Sequence, residues 1–345
     1  MTRCRFFLTL LAGVSAWPVF GAPPHRAPWL SDSGCPVEIS SWTGAYYRKW
    51  RSPARFDGFY GVAILPTYRT DPNRYYHVDH RDANQKQRWE GPMDHTSLYV
   101  GASNPDTNSE IDTGITFEQV WDSQKRLILT KAADIVGGSD PSGWYRVALN
   151  PSIVLTDPRG EVLAKGWPAI EEKVRQEKLH YYFAFRPFYR YNDSTGNVWN
   201  SESDLFFLPG ERPQISLTHQ GNNFRIAVVS GAKSYVREFR VLGFSDHGRG
   251  YPFKRVNSID QYRLLSNGLI KGNEGPTVRV IPTKAAAIRT GWQEAWLLKS
   301  DGGRVPFTAP NAINTRGRDT APQYDKIFHD RSGIGANGGE LFDIN

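Results

Sequence analysis

The aromatic stretch at residues 181–191 carries side chains whose types and spacing could do chemistry. If the stretch is an extended strand, successive side chains point to opposite faces of a sheet. Tyr182, Arg186 and Arg190 then share one face, while the odd-numbered aromatic rings form an apolar face that must pack on a second layer. Two guanidinium groups among aromatic rings suit a planar, oxygen-rich anion such as an acidic sugar chain. The alternative is one wall of a thick core, with both arginines paired to carboxylates.

Exposed tryptophans would extend such a site, because an indole ring offers a flat apolar face to a sugar ring. The sequence has 11 tryptophans, most of which must pack in the core. Trp89 and Trp199 lie beside polar segments. The predicted ligand-binding residues are therefore Tyr182, Arg186, Arg190, Trp89 and Trp199. An enzyme using the same face would be a lyase, in which arginine neutralises a sugar carboxylate while a tyrosine or histidine moves the proton.

A second polar strand is predicted at residues 253–261. Lys254 and Ser258 would share one face of this strand, and Arg255 and Asn257 the other. So many polar side chains on one strand indicate either a solvated face or one wall of a groove.

The segment 104–112 places Glu110 and Asp112 on one face of a strand. These two residues are the ends of a Glu-Ile-Asp tripeptide, which resembles the start of the catalytic signature of secreted β-glucanases. Those enzymes share a concanavalin A-like jelly roll with lectins. This resemblance implies a glycoside hydrolase in which Glu110 is the nucleophile and Asp112 tunes it. The sequence departs from the signature at the general acid, because Gly114 and Ile115 stand where that glutamate belongs. A retaining mechanism requires two carboxyl groups about 5–5.5 Å apart.

The same segment could instead hold a structural calcium ion. Asp106, Asn108 and Glu110 fall at the alternating spacing of oxygen ligands in calcium loops. A solvated polar loop is the alternative. No other cofactor is predicted.

A histidine-rich segment follows the tyrosines at 75 and 76. His77 and Asp79 would share a strand face, and His80 lies next to them. With a distant histidine, this pattern would supply a two-histidine, one-carboxylate metal site. A hydrogen-bonded cluster of surface histidines is the alternative. The candidate catalytic residues are therefore His77, His80, Glu110 and Asp112.

The elements that position these residues are predicted to be strands. The sequence has 32 glycines and 23 prolines, and they separate short runs rich in aromatic and β-branched residues. Helical periodicity is confined mainly to a charged segment at residues 168–179. We therefore predict an all-β fold, an antiparallel two-sheet sandwich of the jelly-roll or concanavalin A-like kind, with few short helices.

The amino terminus has the form of an export signal, because Arg3 and Arg5 precede a short apolar run. Its removal lowers the formal charge from +7 to +5, since it takes away those two arginines and no acidic residue. Cys35 is then a lone cysteine without an intrachain disulfide partner. The predicted organisation is a signal peptide at 1–21, an N-terminal extension at 22–40, a single β-sandwich domain at 41–308 and a C-terminal tail at 309–345.

These features predict a secreted or periplasmic protein that binds a poly- or oligosaccharide, such as an acidic polysaccharide, in a groove lined by arginine and aromatic residues. A polysaccharide lyase or glycoside hydrolase on the same scaffold is one alternative, and a non-catalytic extracellular structural protein is another. Lysine and arginine are scattered rather than clustered, so we predict no nucleic-acid partner. We also predict no membrane contact after signal cleavage. The sequence leaves the oligomeric state open.

Overall fold

The structure is a computed structural model, which describes residues 37–40, 45–76, 91–131, 143–149, 152–201, 204–244, 250–266, 270–273, 275, 277–308, 311–318 and 320–345. The predicted signal peptide and Cys35 lie outside these residues. The first strands in chain order are β1 (Val37–Ser40), β2 (Tyr46–Arg51), β3 (Gly58–Ile64), β4 (Thr67–Arg69), β5 (Tyr75–Tyr76), β6 (Gly91–Pro92), β7 (Asp94–Asn104), β8 (Ser109–Gln119), β9 (Leu127–Thr130), β10 (Tyr145–Ala148), β11 (Val154–Thr156) and β12 (Val162–Lys165). Helix α1 (Trp167–Glu177) follows.

After α1 come β13 (His180–Tyr181), β14 (Phe183–Asp193), β15 (Gly196–Ser201), β16 (Gln214–Gln220), β17 (Asn223–Ser230), β18 (Lys233–Arg240), β19 (Phe253–Leu264), β20 (Ile270–Gly272), β21 (Ala286–Leu298), β22 (Arg304–Pro306) and β23 (Ile313–Gly317). A short helix α2 (Tyr324–Ile327) precedes β24 (Phe328–Ser332) and β25 (Glu340–Ile344). The prediction of an all-β fold with few short helices is confirmed.

The candidate functional residues lie on one large sheet. Its strand order is β1-β23-β2-β19-β7-β8-β14-β15, and β20 pairs with β19. The β1–β23 pair is parallel, and the other neighbours are antiparallel. Each strand therefore presents alternate residues to an inner face and an outer face.

A second sheet covers the inner face. Its strand order is β18-β17-β16-β3-β21-β25-β24, with β4 and β22 paired to β21. Rings and polar groups join the two sheets: the ring centroids of Tyr68 and Phe117 are 4.8 Å apart, and Trp292 Nε1 donates to Asn257 Oδ1 at 2.7 Å. The main hydrophobic core lies between these sheets, as in a β-sandwich.

The structure adds a smaller sheet that the sequence analysis did not separate from the sandwich. It has the order β12-β11-β10-β9-β13. Ile128 on β9 and Trp144, just before β10, pack with Tyr182 and Ala184 in a buried cluster. This small sheet consequently covers the outer face of the large sheet at the start of β14.

Helix α1 confirms the helical segment predicted from the charged run. It begins after Gly166, where φ is 77°, and Pro168 occupies its first turn. Proline is tolerated there because the first N–H groups of a helix have no intrahelical acceptor. The helix ends at Lys178 in the left-handed region. Among the described residues, no helix is long and apolar enough to cross a membrane.

The segment 309–345, predicted as a C-terminal tail, is part of the two large sheets. It contributes β23 to the large sheet and both β24 and β25 to the second sheet. The side chain of Glu340 on β25 is fully buried between the sheets. It accepts hydrogen bonds from Arg48 Nε and Trp50 Nε1, both at 2.9 Å, and lies 3.1 Å from Arg255 NH2. We call Arg48, Trp50, Arg255 and Glu340 the inner cluster.

Candidate functional site

The outer face of the large sheet carries an open cleft of about 750 Å³. Seven strands of that sheet, from β23 across to β15, supply most of its side chains. The residues that line it are Tyr47, Lys49, Tyr99, Asn108, Glu110, Asp112, Arg190, Tyr191, Asn192, Asn197, Val198, Trp199, Lys254, Thr315 and Gly317. The cleft therefore brings together six residues named in the sequence analysis: Asn108, Glu110, Asp112, Arg190, Trp199 and Lys254.

Strand β14 has the alternation predicted from its sequence. Its pairing with β8 runs without a register shift from Phe183 to Asn192, and Pro187 lies opposite Ile115. Pairing with β15 on the other side begins only at Phe188. Pro187 therefore lies just outside the stretch of β14 that pairs with β15. Arg186 and Arg190 consequently share the outer face, although only one of them reaches the cleft.

Arg186 and Tyr182 are covered. The side chain of Arg186 is 6% exposed and lies 3.5 Å from Glu118 Oε2. Its NH1 donates to the Gln119 carbonyl at 2.6 Å, and its NH2 donates to Ser201 Oγ at 3.0 Å. Tyr182 is fully buried and packs 5.0 Å from Trp144 between ring centroids. Burial raises the pKa of Tyr182 to about 12.

Arg190 reaches the cleft but is tied to a buried carboxylate. Its Nε and NH2 lie 2.8 Å and 2.7 Å from Asp112 Oδ2. Lys254 Nζ lies 3.0 Å from Asp112 Oδ1 and 3.6 Å from Glu110 Oε1. Burial alone would raise the pKa of Asp112, but the charges of Lys254 and Arg190 outweigh it and lower that pKa. Asp112 is therefore held as a carboxylate.

Gly101 makes room for this ion pair. Asp112 lies opposite Gly101 on the neighbouring strand. A Cβ atom at position 101 would overlap Asp112 Oδ1 and come within 2.7 Å of Lys254 Cε. The absence of a side chain at Gly101 is thus what allows Asp112 and Lys254 to meet beneath the cleft.

Lys49 differs from the other two cations of the cleft. Within the part of the chain that the structure describes, no carboxylate oxygen lies within 4.0 Å of its ammonium group. Burial and the neighbouring charge of Lys254 together lower the pKa of Lys49 to about 8, against the opposing charges of Glu110, Asp112 and Glu38. Opposite Lys49 on β23 is Thr315, whose buried Oγ1 has no hydrogen-bond partner among the described residues.

An aromatic wall closes the other end of the cleft. Trp199 is 52% exposed, and its ring stacks on Phe188 at 4.7 Å and 12°. The Phe188 ring meets Tyr99 edge-on at 6.1 Å. Trp199 lies on β15, which among the described strands is the last one on this side of the sheet. The cleft thus has a cationic end at Lys49 and an aromatic end at Trp199.

The residues proposed for calcium do not converge on one point. Asp106 Oδ2 lies 3.5 Å from Arg55, whereas Glu110 faces Lys254. Asn108 has a φ of 57° and lines the cleft. No group of three or more histidine, cysteine or acidic residues that could hold a metal occurs among the described residues. His77, His80 and Trp89 lie outside those residues, so their predicted roles remain predictions.

Sequence reasoning missed Lys49, Thr315 and the tyrosines of the cleft. A signal was present in β2, where Tyr46, Arg48 and Trp50 alternate with Tyr47 and Lys49. The first set is buried and the second is half-buried. Lys254 had been placed on a polar strand, and the structure makes it one wall of the cleft. The partner strands of these residues could not be read from local spacing.

Comparison with known proteins gives a likeness of fold only. No family model matches the chain, and no curated protein matches it. A structure of scytalido-glutamic peptidase with a transition state analog inhibitor has a TM-score of 0.42 and 11% identity, covering 87% of this chain and 98% of that one. SCP-B, a member of the eqolisin family of peptidases, solved with the tripeptide Ala-Ile-His, has a TM-score of 0.38 and 10% identity, covering 87% of this chain and 96% of that one. At these values, the likeness assigns no role to any residue.

The prediction of a glycan-binding groove is wrong. The two arginines expected to face the ligand are already paired to acids, one of them under the small sheet. The alternative of a polysaccharide lyase or glycoside hydrolase is wrong as well. Arg186 and Tyr182, which a lyase would use, are covered, and Gly114 and Ile115 stand on β8 where a hydrolase would need its general acid. The purely structural alternative required both arginines to be covered, yet the side chain of Arg190 is 42% exposed.

Proposed function

We propose that the cleft binds an extended peptide whose free carboxylate lies beside Lys49. The observation that carries this proposal is the charge distribution of the cleft. Arg190 and Lys254 share the buried carboxylate of Asp112, whereas no described carboxylate lies within ion-pair distance of Lys49. A ligand carboxylate placed there would stabilise the charged form of Lys49, whose pKa is lowered to about 8 by burial and by Lys254.

The dimensions of the cleft suit a short extended chain. Lys49 on β2 and Trp199 on β15 are separated by five steps of the sheet order. At about 4.8 Å per strand, this spacing is roughly 24 Å, which corresponds to about seven extended residues. Such a peptide would cross the strands, with its carboxylate at Lys49 and an aromatic side chain at Trp199.

Amide side chains lie along the same path. Three asparagines line the cleft: Asn108 in the turn before β8, Asn192 on β14 and Asn197 on β15. A carboxamide both donates and accepts hydrogen bonds, so these residues can pair with the N–H and C=O groups of a peptide main chain. This is support for a peptide over a small inorganic anion, which would need only the cation.

Binding rather than two-carboxylate catalysis fits the charges. A pair of acids acts in hydrolysis when one of them stays protonated beside the other. Lys254 and Arg190 keep Asp112 ionised, and Glu110 faces the Lys254 ammonium group at 3.6 Å, so both carboxylates already have a cation beside them. We also propose that the protein works outside the cytoplasm, as the basic and apolar segments of residues 1–21 suggest.

The direct test is isothermal titration calorimetry with a seven-residue peptide that begins with tyrosine. It is supplied as the free acid and as the carboxyl-terminal amide. We expect the free acid to bind the wild-type protein, and both the amide and the Lys49→Gln variant to lose about tenfold in affinity, corresponding to about 1.4 kcal/mol. Lys299→Gln, at an exposed lysine outside the cleft, is the matched control. Absence of binding, or equal affinities for acid and amide, would overturn the proposal.

A further inference from the structure

Two lysines meet on adjacent strands at the cationic end of the cleft. Lys49 on β2 lies opposite Val256 on β19, and Lys254 is two residues along that strand on the same face. Such diagonal neighbours are within reach of long side chains. Lys254 is held in its charged form by Asp112 at 3.0 Å. Its fixed positive charge therefore opposes protonation of the Lys49 amine.

This arrangement is one of the ways in which a lysine becomes a nucleophile. A neutral amine is produced when an ammonium group is partly removed from water and placed beside another cation. Both conditions hold at Lys49, and the pKa of its side chain is lowered to about 8 by burial and by Lys254. Both lysines line the open cleft. Lys254 is paired with Asp112, whereas Lys49 is half-buried and has no ion-pair partner among the described residues.

We propose that the Lys49 amine is a carbonyl-reactive group that condenses with an aldehyde or ketone bound in the cleft. The nitrogen lone pair forms a C–N bond to the carbonyl carbon as the C=O π bond breaks, and one amine proton passes to the oxygen to give a carbinolamine. The nitrogen lone pair then forms the C=N π bond as the C–O bond breaks, and the oxygen leaves as water with the second amine proton, which gives an imine. No oxidant or reductant takes part, and the only by-product is one water molecule.

The neighbouring side chains fit these steps. Thr315 lies directly across from Lys49, and its Oγ1, which has no hydrogen-bond partner among the described residues, can donate to the carbinolamine oxygen. The charged and titratable groups that surround the amine are Lys254 on β19, Glu110 and Asp112 on β8, Glu38 on β1, Arg190 on β14, Tyr99 on β7, and Tyr47 and Arg51 on its own strand. Glu38 is paired with Arg51, Asp112 with two cations and Glu110 with Lys254. Among the described residues, no carboxylate oxygen lies within 4.0 Å of the Lys49 amine.

The inference does not depend on peptide binding, but the two uses of Lys49 compete. A carboxylate beside the amine favours the ammonium form, which does not attack a carbonyl group. A bound acid should therefore slow the condensation. Failure of peptide binding would leave the reactivity unchanged, and failure of the reactivity would leave peptide binding untouched.

The test is brief treatment of the wild-type protein with propanal and cyanoborohydride, followed by peptide mapping. Cyanoborohydride reduces the imine to a stable propyl-lysine. At pH 8, we expect Lys49 to be labelled at least about tenfold faster than the exposed Lys299, because about half of its amine is neutral there, against well under 1% for an ordinary lysine. Labelling of Lys49 at or below the rate of Lys299 would overturn the proposal.

Two variants sharpen the result. Lys254→Met removes the fixed charge, so selective labelling of Lys49 should fall toward the rate of Lys299, in a protein shown by circular dichroism to be folded. Lys49→Arg should abolish labelling at that position and leave the other lysines unchanged. If Lys254→Met does not fold, the rate of Lys49 in the wild-type protein from pH 6 to pH 10 replaces it. That rate should level off above about pH 8, whereas the rate of a lysine with the ordinary pKa of about 10.4 would still be rising at pH 10. A Lys49 rate that keeps rising to pH 10 would contradict the proposal.

Discussion

The inner cluster and the cleft both take their central cations from β2 and β19, and they differ in how those charges are balanced. On the inner face, Arg48 and Arg255 meet Glu340 between the sheets, and Arg48 also reaches Asp330 at 2.6 Å. On the outer face, Lys49 and Lys254 come from the same strands, but of the two only Lys254 has a carboxylate partner among the described residues.

The comparison separates charges that hold the fold from a charge that is left for a ligand. A buried ion must be paired, because its hydration is lost and nothing else replaces it. The inner cluster is sealed and meets this requirement within the chain. The cleft is open to solvent, so it can keep Lys49 without a partner at moderate cost. The unpaired cation on the open face is consequently the better indicator of function.

The largest effect is expected from breaking the inner cluster. Glu340→Gln leaves Arg48 and Arg255 without their shared carboxylate, and loss of one partner of a buried ion pair costs about 3–5 kcal/mol. Chemical denaturation measures the change in the free energy of unfolding. Asp330→Asn is the matched control, because the Asp330 side chain is 39% exposed and exposed pairs contribute about 0–1 kcal/mol. Equal effects of the two substitutions would show that the inner cluster is not a structural requirement.

A smaller loss is expected from filling the space beneath the cleft. In Gly101→Ala, the added methyl group overlaps the ion pair of Asp112 and Lys254, and overpacking of this kind costs about 1–3 kcal/mol. Gly272→Ala is the control, since a Cβ atom there would meet nothing within 4 Å. Thermal unfolding of both variants gives the comparison. A Gly101→Ala protein as stable as the control would mean that Asp112 and Lys254 do not pack as described.

The pH dependence of stability should distinguish Lys49 from the paired cations. Burial and Lys254 lower the folded-state pKa of Lys49 to about 8, whereas an unfolded lysine titrates near about 10.4. Between these values the unfolded state binds more protons, so the free energy of unfolding should rise with pH. The destabilisation that comes from charging the buried Lys49 amine in the folded state is fully present below about pH 8 and absent above about pH 10.4.

The measurement is the difference between wild type and Lys49→Met in denaturant titrations at pH 7, 8, 9 and 10. Other groups titrate in this range in both proteins, and the difference isolates Lys49. We expect the wild type to gain stability relative to the variant as the pH rises. A constant difference would mean that the amine titrates normally.

The smallest effect on stability is expected at the aromatic end of the cleft. Trp199 is 52% exposed and rests on Phe188, so Trp199→Ala should lower stability by no more than about 1 kcal/mol. The affinity of the Trp199→Ala variant for the tyrosine-containing heptapeptide should nevertheless fall, by about five- to tenfold for an aromatic contact of this size. Scanning calorimetry measures the stability of the variant, and titration calorimetry measures its affinity for the peptide. Unchanged affinity would remove Trp199 from the proposed path of the peptide.

The sequence predicted local alternation well and long-range partners poorly. The two-residue period of β14 correctly placed Arg186 and Arg190 on one face, because alternation is a property of the strand itself. Their acids, Glu118 and Asp112, come from β8, 68 and 78 residues away. Nothing in local spacing indicates which strand lies next to which, so the arginines could not be distinguished from ligand-binding residues.

The same limit explains the error at the carboxyl-terminal segment. Gly333, Gly335, Gly338 and Gly339 indicate a loose chain, but the alternation of β25 after them is that of a buried strand. What fixes β25 is the contact of Glu340 with Arg48, 292 residues earlier. Contacts of that separation leave no trace in composition or periodicity.

The position of Glu340 in the chain also bears on how the molecule is assembled. The arginines that require it are synthesised first, and β23, which inserts beside β2, is made shortly before it. Until β25 emerges, the two large sheets cannot close around Glu340, the buried carboxylate that Arg48 and Arg255 share. Biogenesis should therefore be nearly all-or-none: a nascent chain stopped before residue 340 would remain open and susceptible to proteases, and protection should appear only when that strand becomes available.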